Sequence, residues 1–402
     1  MAGPLSGLMV VDFTHGVAGP YATTILGDLG CEVIKIEKPG RGDASRYMNV
    51  TPSLKGGIPE VGGDYFLSIN RNKKAITVDL KNPKGKEIAL ELAKKADIVV
   101  QNFRPGVMTS LGLDYEHIKE VNPKIIYASI SAYGQSGSMS DKAGMDVAVQ
   151  ARSGVMSITG YKGSPPVRPG ASIADLGTAV YCVTSIVSAL FYREKTGIGQ
   201  EVDTSLLDAT MSLLINYSVP VIDGGVDFEP FGSGHPQIVP YQAFPSKDGY
   251  IVIAGGTNSL FRRICATLKL EGIADDDRFK SNENRVVNRE ELIRIISEVT
   301  KRRTTDEWLA ILESNDIPCA PVKTLKDAFN DSQLAANEMI TSVKHPTIGS
   351  LKLLGIPFKF SESKCSIHLP PPMMGEHTDA VLSGLLGKDK AQLDSLRKEG
   401  VI

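Results

Sequence analysis

The sequence is sparing with the residues that build metal sites and disulfide frameworks. Its five cysteines, Cys31, Cys182, Cys265, Cys319 and Cys365, are odd in number and scattered. No Cys-x-x-Cys or Cys/His spacing joins them, so neither a zinc site nor a disulfide framework is supported, and reduced thiols in a cytoplasmic protein are expected. Net charge is equally slight: 44 Lys and Arg against 46 Asp and Glu leave −2. Nothing in that balance calls for nucleic acid or an anionic membrane as partner. The start, Met1-Ala2-Gly3-Pro4-Leu5, runs into strand-like sequence with no basic and apolar leader pattern. The apolar runs at 176–192 and 203–222 are interrupted by small, polar or proline residues, so no membrane span is expected. No P-loop, G-x-S-x-G or H-E-x-x-H motif occurs.

What is present is ordinary globular sequence, 42% hydrophobic and 22% charged over 402 residues, enough for two or three domains. Leu8 to Phe13 reads as a buried strand, a helix follows from about Tyr21 to Leu29, and Cys31 to Glu37 is a second strand. Strand, helix and strand at this spacing form a βαβ unit, which makes the sheet parallel. The pattern recurs through strands at 75–80, 97–103 and 124–131. The expected fold is therefore α/β, with a large Rossmann-like parallel-sheet domain. Residues 38–64 lack periodicity, and so long an irregular stretch inside a compact domain is usually functional. Beyond a Gly/Pro/Asp-rich crossing at 217–238, a hairpin around Lys247-Asp248-Gly249 and helices over 258–314 indicate a smaller α+β domain. The boundaries expected are 1–216 for the first part of the large domain, 217–324 for the small one, and 325–402 for a last segment, which the family resemblance described below returns to the large domain.

Two features carry chemistry. Lys38, Arg41, Arg46, Arg71, Lys73, Lys74 and Arg104 cluster near strand ends, where open parallel sheets bind ligands, and together they suit a polyphosphate such as the ADP part of coenzyme A. A nicotinamide cofactor is disfavoured: the first loop, His15-Gly16-Val17-Ala18-Gly19-Pro20, is not G-x-G-x-x-G, and Pro20 removes an N–H that a pyrophosphate would need. The second feature is Asp175, which follows Arg168-Pro169-Gly170 and precedes a long apolar helix. Its bland reading is a helix N-cap. Its sharper reading is a nucleophile, a carboxylate kept ionised near a helix N-terminus and able to attack an acyl group.

Collinear motifs then narrow the choice. They are Val11-Asp12-Phe13-Thr14-His15 with Ala18-Gly19-Pro20, Leu26-Gly27-Asp28-Leu29-Gly30, Asn70-Arg71-Asn72-Lys73-Lys74, and Asn102-Phe103-Arg104-Pro105-Gly106. Further along stand Tyr133-Gly134-Gln135-Ser136-Gly137, Arg168-Pro169-Gly170 through Asp175, Lys195 to Gln200, Pro240 to Phe244, and Gly375-Glu376-His377-Thr378. Together they resemble the class III CoA-transferase family over essentially the whole chain. The resemblance implies Asp175 as the nucleophile, passing through an aspartyl anhydride and an aspartyl-CoA thioester, with CoA thioesters as substrates and no tightly bound cofactor or metal. It implies that His15, Gly16, Val17 and Ala18 line the acyl end, joined by Tyr133, Arg168, Gly234 and His235. It assigns Lys38, Arg46, Asn72, Lys73, Lys74, Asn102, Phe103, Arg104 and Lys142 to CoA. The glycine-rich loop that shields the intermediate in this family corresponds to Phe231-Gly232-Ser233-Gly234-His235, which is only partly glycine. An interlocked homodimer is also implied.

Where the family's racemases carry Gly-His-Asp, this chain has Gly144-Met145-Asp146, and methionine exchanges no proton. The transferase branch is therefore expected. Arg168, Arg104 and the run His235 to Tyr241 most resemble the subgroup acting on dicarboxylates, with succinyl-CoA or a similar acyl-CoA as donor.

Overall fold

The computed structural model describes residues 3–49, 58 and 60–402. Within the irregular stretch at 38–64, residues 50–57 and 59 lie outside the described residues. By contact density the chain divides into two compact units. The first comprises Met1–Val155, Arg168–Val226 and Ser332–Ile402, and the second Met156–Val167 and Asp227–Asp331. The expected boundaries at 216/217 and 324/325 thus move to 226/227 and 331/332, and Met156–Val167 joins the second unit rather than the large domain. The first boundary moves because the apolar run persists. Ile215–Ile222 is helical despite Pro220, where Gly, Pro and Asp content alone suggests a crossing segment.

In the first unit six parallel strands stand in the order β3-β2-β1-β4-β5-β6. They are β1 (Met9–Asp12), β2 (Glu32–Glu37), β3 (Lys73–Thr77), β4 (Ile98–Gln101), β5 (Ile126–Ser131) and β6 (Gln200–Ser205). The inner strands read as continuous apolar runs because both faces are covered. Met9 and Val11 enter one core with the helices Pro83–Lys95, Thr378–Leu386 and Lys390–Lys398, while Val10 enters the other with Ala18–Asp28 and Ile173–Thr196. The C-terminal segment therefore completes the sheet's first face, through Val381, Leu382, Leu393 and Leu396.

The helix Ile173–Thr196 is the one helix, among the described residues, long and apolar enough to cross a membrane. Here it is a core element: Ala179, Cys182, Val183, Ile186 and Leu190 recur at helical spacing and pack on the sheet. Its opposite face keeps Val180, Tyr181, Val187, Phe191 and Tyr192 exposed.

The second unit carries the expected hairpin, β7 (Tyr241–Pro245) against β8 (Tyr250–Ala254), with β9 (Cys319–Pro321) added at the edge of β8. Trp308 is buried in its core, and its indole N–H donates to the Thr300 carbonyl at 2.6 Å. In the first unit a last hairpin pairs β10 (Ile340–His345) with β11 (Gly349–Leu354).

Candidate active site

Strand order reverses between β1 and β4, so their following loops diverge and leave a crevice at the carboxyl ends. His15, after β1, and Asn102, after β4, tie that crevice together. The Asn102 side chain accepts from the His15 N–H at 2.9 Å and donates to the His15 carbonyl at 2.7 Å. Phe103 lies beside the His15 ring at 5.2 Å between centroids. The turn needs glycine at position 16, where φ is +78°. Gly19 lets the following helix approach, since a Cβ there would stand 2.4 Å from the Thr14 side chain.

A cavity of about 500 Å³ opens here, lined among others by His15, Gly16, Val17, Ala18 and Asn102 and by Met145, Asp146, Arg168 and Asp175. A larger one, about 620 Å³, lies between Ile340 and Ile367, away from Asp175 and the switch point. The smaller cavity is the one that combines the sheet's ligand crevice with the half-buried Asp175 carboxylate.

Asp175 is not the helix cap. Ser172 occupies that position without a side-chain hydrogen bond, and Asp175 sits in the first turn. The free amides are taken by Asp146, whose Oδ1 accepts from the N–H groups of Ala174 (3.1 Å) and Asp175 (3.3 Å). Asp146 itself opens the helix Asp146–Arg152 and is steadied by Gln150 at 2.7 Å. Its other oxygen lies 4.0 Å from the Arg168 guanidinium. Burial, then the neighbouring charge of Asp146, raises the Asp175 pKa to about 7. The expectation of a carboxylate held ionised by capping is therefore corrected: its surroundings make it more basic than an ordinary aspartate. Asp146 is the residue that sequence reasoning passes over. Its signal is an acidic residue at a helix start, next to the racemase-diagnostic Met145.

Several residues assigned to CoA lie elsewhere. Arg46 is fully buried, its guanidinium paired with Glu37 at 2.6 Å and stacked over Phe66, so it offers no surface to a phosphate. Lys73 is equally buried, donating to the Pro20 carbonyl and to Asn70 at 2.8 Å and pairing with Asp12 at 3.2 Å. Burial pulls its pKa down to about 8. Asn72 is buried too, and its carboxamide clamps the backbone of Ser366, His368 and Leu369. Lys74 pairs with Glu32 at 2.5 Å. For Asn72, Lys73 and Lys74 the reason is register: they enter β3 at its amino end, whereas the crevice is at the carboxyl ends.

Lys38 is exposed on the turn after β2. Arg104 is exposed at a polar cavity of about 260 Å³ with Gln101, Ser129, Gln135 and Glu201. Tyr133 packs against the sheet's second core with the Arg152 guanidinium 5.9 Å from its ring centre, and Lys142 is exposed next to Asp141 at 3.7 Å. Gly234 and His235 belong to the second unit. There Gly232 donates to the Gly160 carbonyl at 2.7 Å, and His235 donates its amide to Tyr241 at 3.0 Å. His15 is accessible at the mouth of the cavity. Partial withdrawal of its ring from bulk water lowers its pKa from the usual value.

The model of CoA-transferase family III matches residues 5–378. The chain belongs to this family. Succinyl-CoA:glutarate CoA-transferase of Homo sapiens is 41% identical over 401 residues, covering 99% of this chain and 90% of the relative. The succinate–glutarate CoA-transferase of Agrobacterium fabrum is 35% identical over 383 residues, covering 95% and 96%. A crystal structure of a CAIB/BAIF family protein from Brucella suis superposes with a TM-score of 0.84 at 34% identity, covering 96% of this chain and all of that one. The protein is thus a family III CoA-transferase, an enzyme of acyl-CoA and carboxylate chemistry. The cavity thus brings together the half-buried Asp175 carboxylate, the His15–Ala18 turn and the half-exposed Arg168.

Proposed function

We propose that this transferase moves CoA from succinyl-CoA or a similar acyl-CoA to a carboxylic acid, preferentially a dicarboxylate, with Asp175 as covalent nucleophile. The observation that carries the reading is Asp175 itself, half-buried in the switch-point cavity with a pKa raised to about 7. Raised basicity makes a carboxylate a better nucleophile, while a pKa near working pH leaves much of it ionised.

In the first step a carboxylate oxygen of Asp175 attacks the thioester carbonyl. The C–S bond breaks, giving a mixed anhydride and CoA thiolate. The thiolate then attacks the Asp175 carbonyl, releasing the donor acid and leaving an aspartyl-CoA thioester. An acceptor carboxylate attacks that thioester to form a second anhydride, and the thiolate takes the acceptor's acyl group. Asp175 is regenerated, and no net proton or electron is exchanged. Positioning and oxyanion stabilisation are therefore the enzyme's main contributions. The amides that start the helix Ala18–Asp28, whose cap Val17 supplies no side-chain bond, are suited to hold the oxyanion. Lys38, Asn102, Phe103 and Arg104 remain the candidates for CoA contact, and Met145 leaves a racemase's second acid/base group missing.

Arg168 is the candidate for a dicarboxylate's distal group. Its loose 4.0 Å approach to Asp146 leaves its donors open, and relatives of this chain are named for succinyl-CoA and glutarate. The exposed apolar face of Ile173–Thr196, together with the helix Ile215–Ile222, which buries none of its residues, suits coverage by a second copy of the chain.

The test is to incubate the enzyme with succinyl-CoA and a panel of acids. Glutaryl-CoA from glutarate, with Arg168→Ala losing glutarate far more than a monocarboxylate, is the expected result. Equal losses for both acids would remove the distal-carboxylate role.

A further inference from the structure

Beneath the loop that edges the cavity lies a set of buried charges that the transfer steps do not use. Asp12, Lys35, Glu37, Asp43, Arg46 and Lys73 are all almost inaccessible to water, three acids and three bases. Arg46 and Glu37 form a pair of their own. Of the other four, Asp12, Lys35 and Asp43 bond directly to Thr14 or Gly16, and Lys73 stands behind them on Asp12.

Lys35 donates to the Thr14 carbonyl at 2.7 Å and pairs with Asp43 Oδ2 at 2.9 Å. Asp43 Oδ1 accepts from the Gly16 N–H at 3.1 Å and from the amide and hydroxyl of Ser45, each at 2.8 Å. One ion pair thus grips both sides of His15, the carbonyl before it and the amide after it. Asp12 accepts from the Thr14 amide at 2.8 Å and is itself anchored by Lys73 and the Thr23 hydroxyl.

Neutral side chains could have filled this space, and removing two charges from water is unfavourable unless geometry and further hydrogen bonds compensate. What ions add is short, directional bonding to backbone groups. The pair also stays charged. Burial acts against both ions, yet Asp43, Asp12 and Glu37 hold Lys35 above its ordinary pKa, and Lys35 with the backbone amides holds Asp43 well below the usual carboxylate range.

We propose that the Lys35–Asp43 pair is a positioning device for acyl transfer, fixing where the His15–Val17 wall of the cavity stands relative to Asp175. The inference rests on the reading of Asp175 as nucleophile and deepens it. Neither residue lines the cavity, so their effect reaches the reacting atoms only through the loop.

The experiment uses the double variant Lys35→Met/Asp43→Asn, in which the new carboxamide oxygen can still accept from Gly16 and Ser45 while the Thr14 carbonyl loses its donor. Turnover with succinyl-CoA and glutarate, affinity for free CoA by calorimetry, and the rate at which CoA becomes attached to Asp175 are compared with wild type. The expected result is a fall in kcat and in adduct rate of about tenfold to a hundredfold, the scale of a misplaced reacting group, with CoA affinity within about threefold. Should the double variant not fold, Asp43→Asn decides, because Lys35 there keeps Asp12 and Glu37 as counter-charges. Wild-type kcat in a folded variant overturns the proposal. So does a parallel loss of affinity and turnover, which would mark the pair as a plain structural brace. If wild type turns over with Asp175 unmodified, it is the nucleophile that fails, and the loop is then judged on kcat against affinity alone.

Discussion

At the scale of single residues, the proposed chemistry turns on Asp175 and its neighbour Asp146. Because burial and Asp146 raise the Asp175 pKa to about 7, kcat/KM for the acyl-CoA should climb with pH below 7 and level off above it. Asp146→Asn keeps the cap acceptor but removes the repulsion, so the same profile should shift to lower pH. An unmoved profile would show that Asp146 does not act on Asp175. The raised pKa also has a stability consequence. A carboxyl whose folded pKa lies above its unfolded value contributes fully at low pH and loses that contribution as pH rises toward the folded pKa. Asp175→Asn should therefore melt near wild type at about pH 4 and progressively above it as pH approaches 7, measured by thermal unfolding across pH. Arg46 and Lys38 give a further contrast. Arg46→Ala strands a buried Glu37, a loss of about 3–5 kcal/mol read as a lowered melting temperature. Lys38→Ala should leave melting unchanged and raise KM for the acyl-CoA.

At the scale of elements, much of the site was legible because each loop follows a strand with a clear apolar signature. Leu8 to Phe13 and Asp97 to Phe103 both read as strands, and the His15 and Asn102 loops at their ends are the two halves of the crevice. Less legible was anything depending on register. Basic residues near β3 looked like a phosphate rim, yet sequence cannot show that Asn72 and Lys73 enter that strand from its amino end and turn inward. Capping misled for a similar reason. An Asp before an apolar run matches the local pattern, but Asp146, 29 residues earlier, supplies the acceptor through tertiary contact. Asp146→Ala should consequently weaken the helix start by about 1 kcal/mol, whereas Asp146→Asn should not.

For the whole molecule, the parallel sheet follows from a series of βαβ units, whereas the packing of the C-terminal segment on it was implied by the family resemblance and not by periodicity. Sequence periodicity did not anticipate that Met156–Val167 belongs to the second unit, since these twelve residues, broken by two glycines and two prolines, carry no period. The apolar face bearing Phe191 and Tyr192 gives the assembly prediction: wild type should run as a dimer by light scattering, and Phe191→Glu should shift it toward monomer with a loss of activity. A fully active monomer would contradict that account. The central claim, that transfer passes covalently through Asp175, is tested most directly by quenching the enzyme during turnover with succinyl-CoA and examining its peptides by mass spectrometry. The account predicts CoA on the peptide carrying Asp175, and in Asp175→Ala no adduct with kcat reduced more than about a thousandfold. Full activity in Asp175→Ala would contradict it.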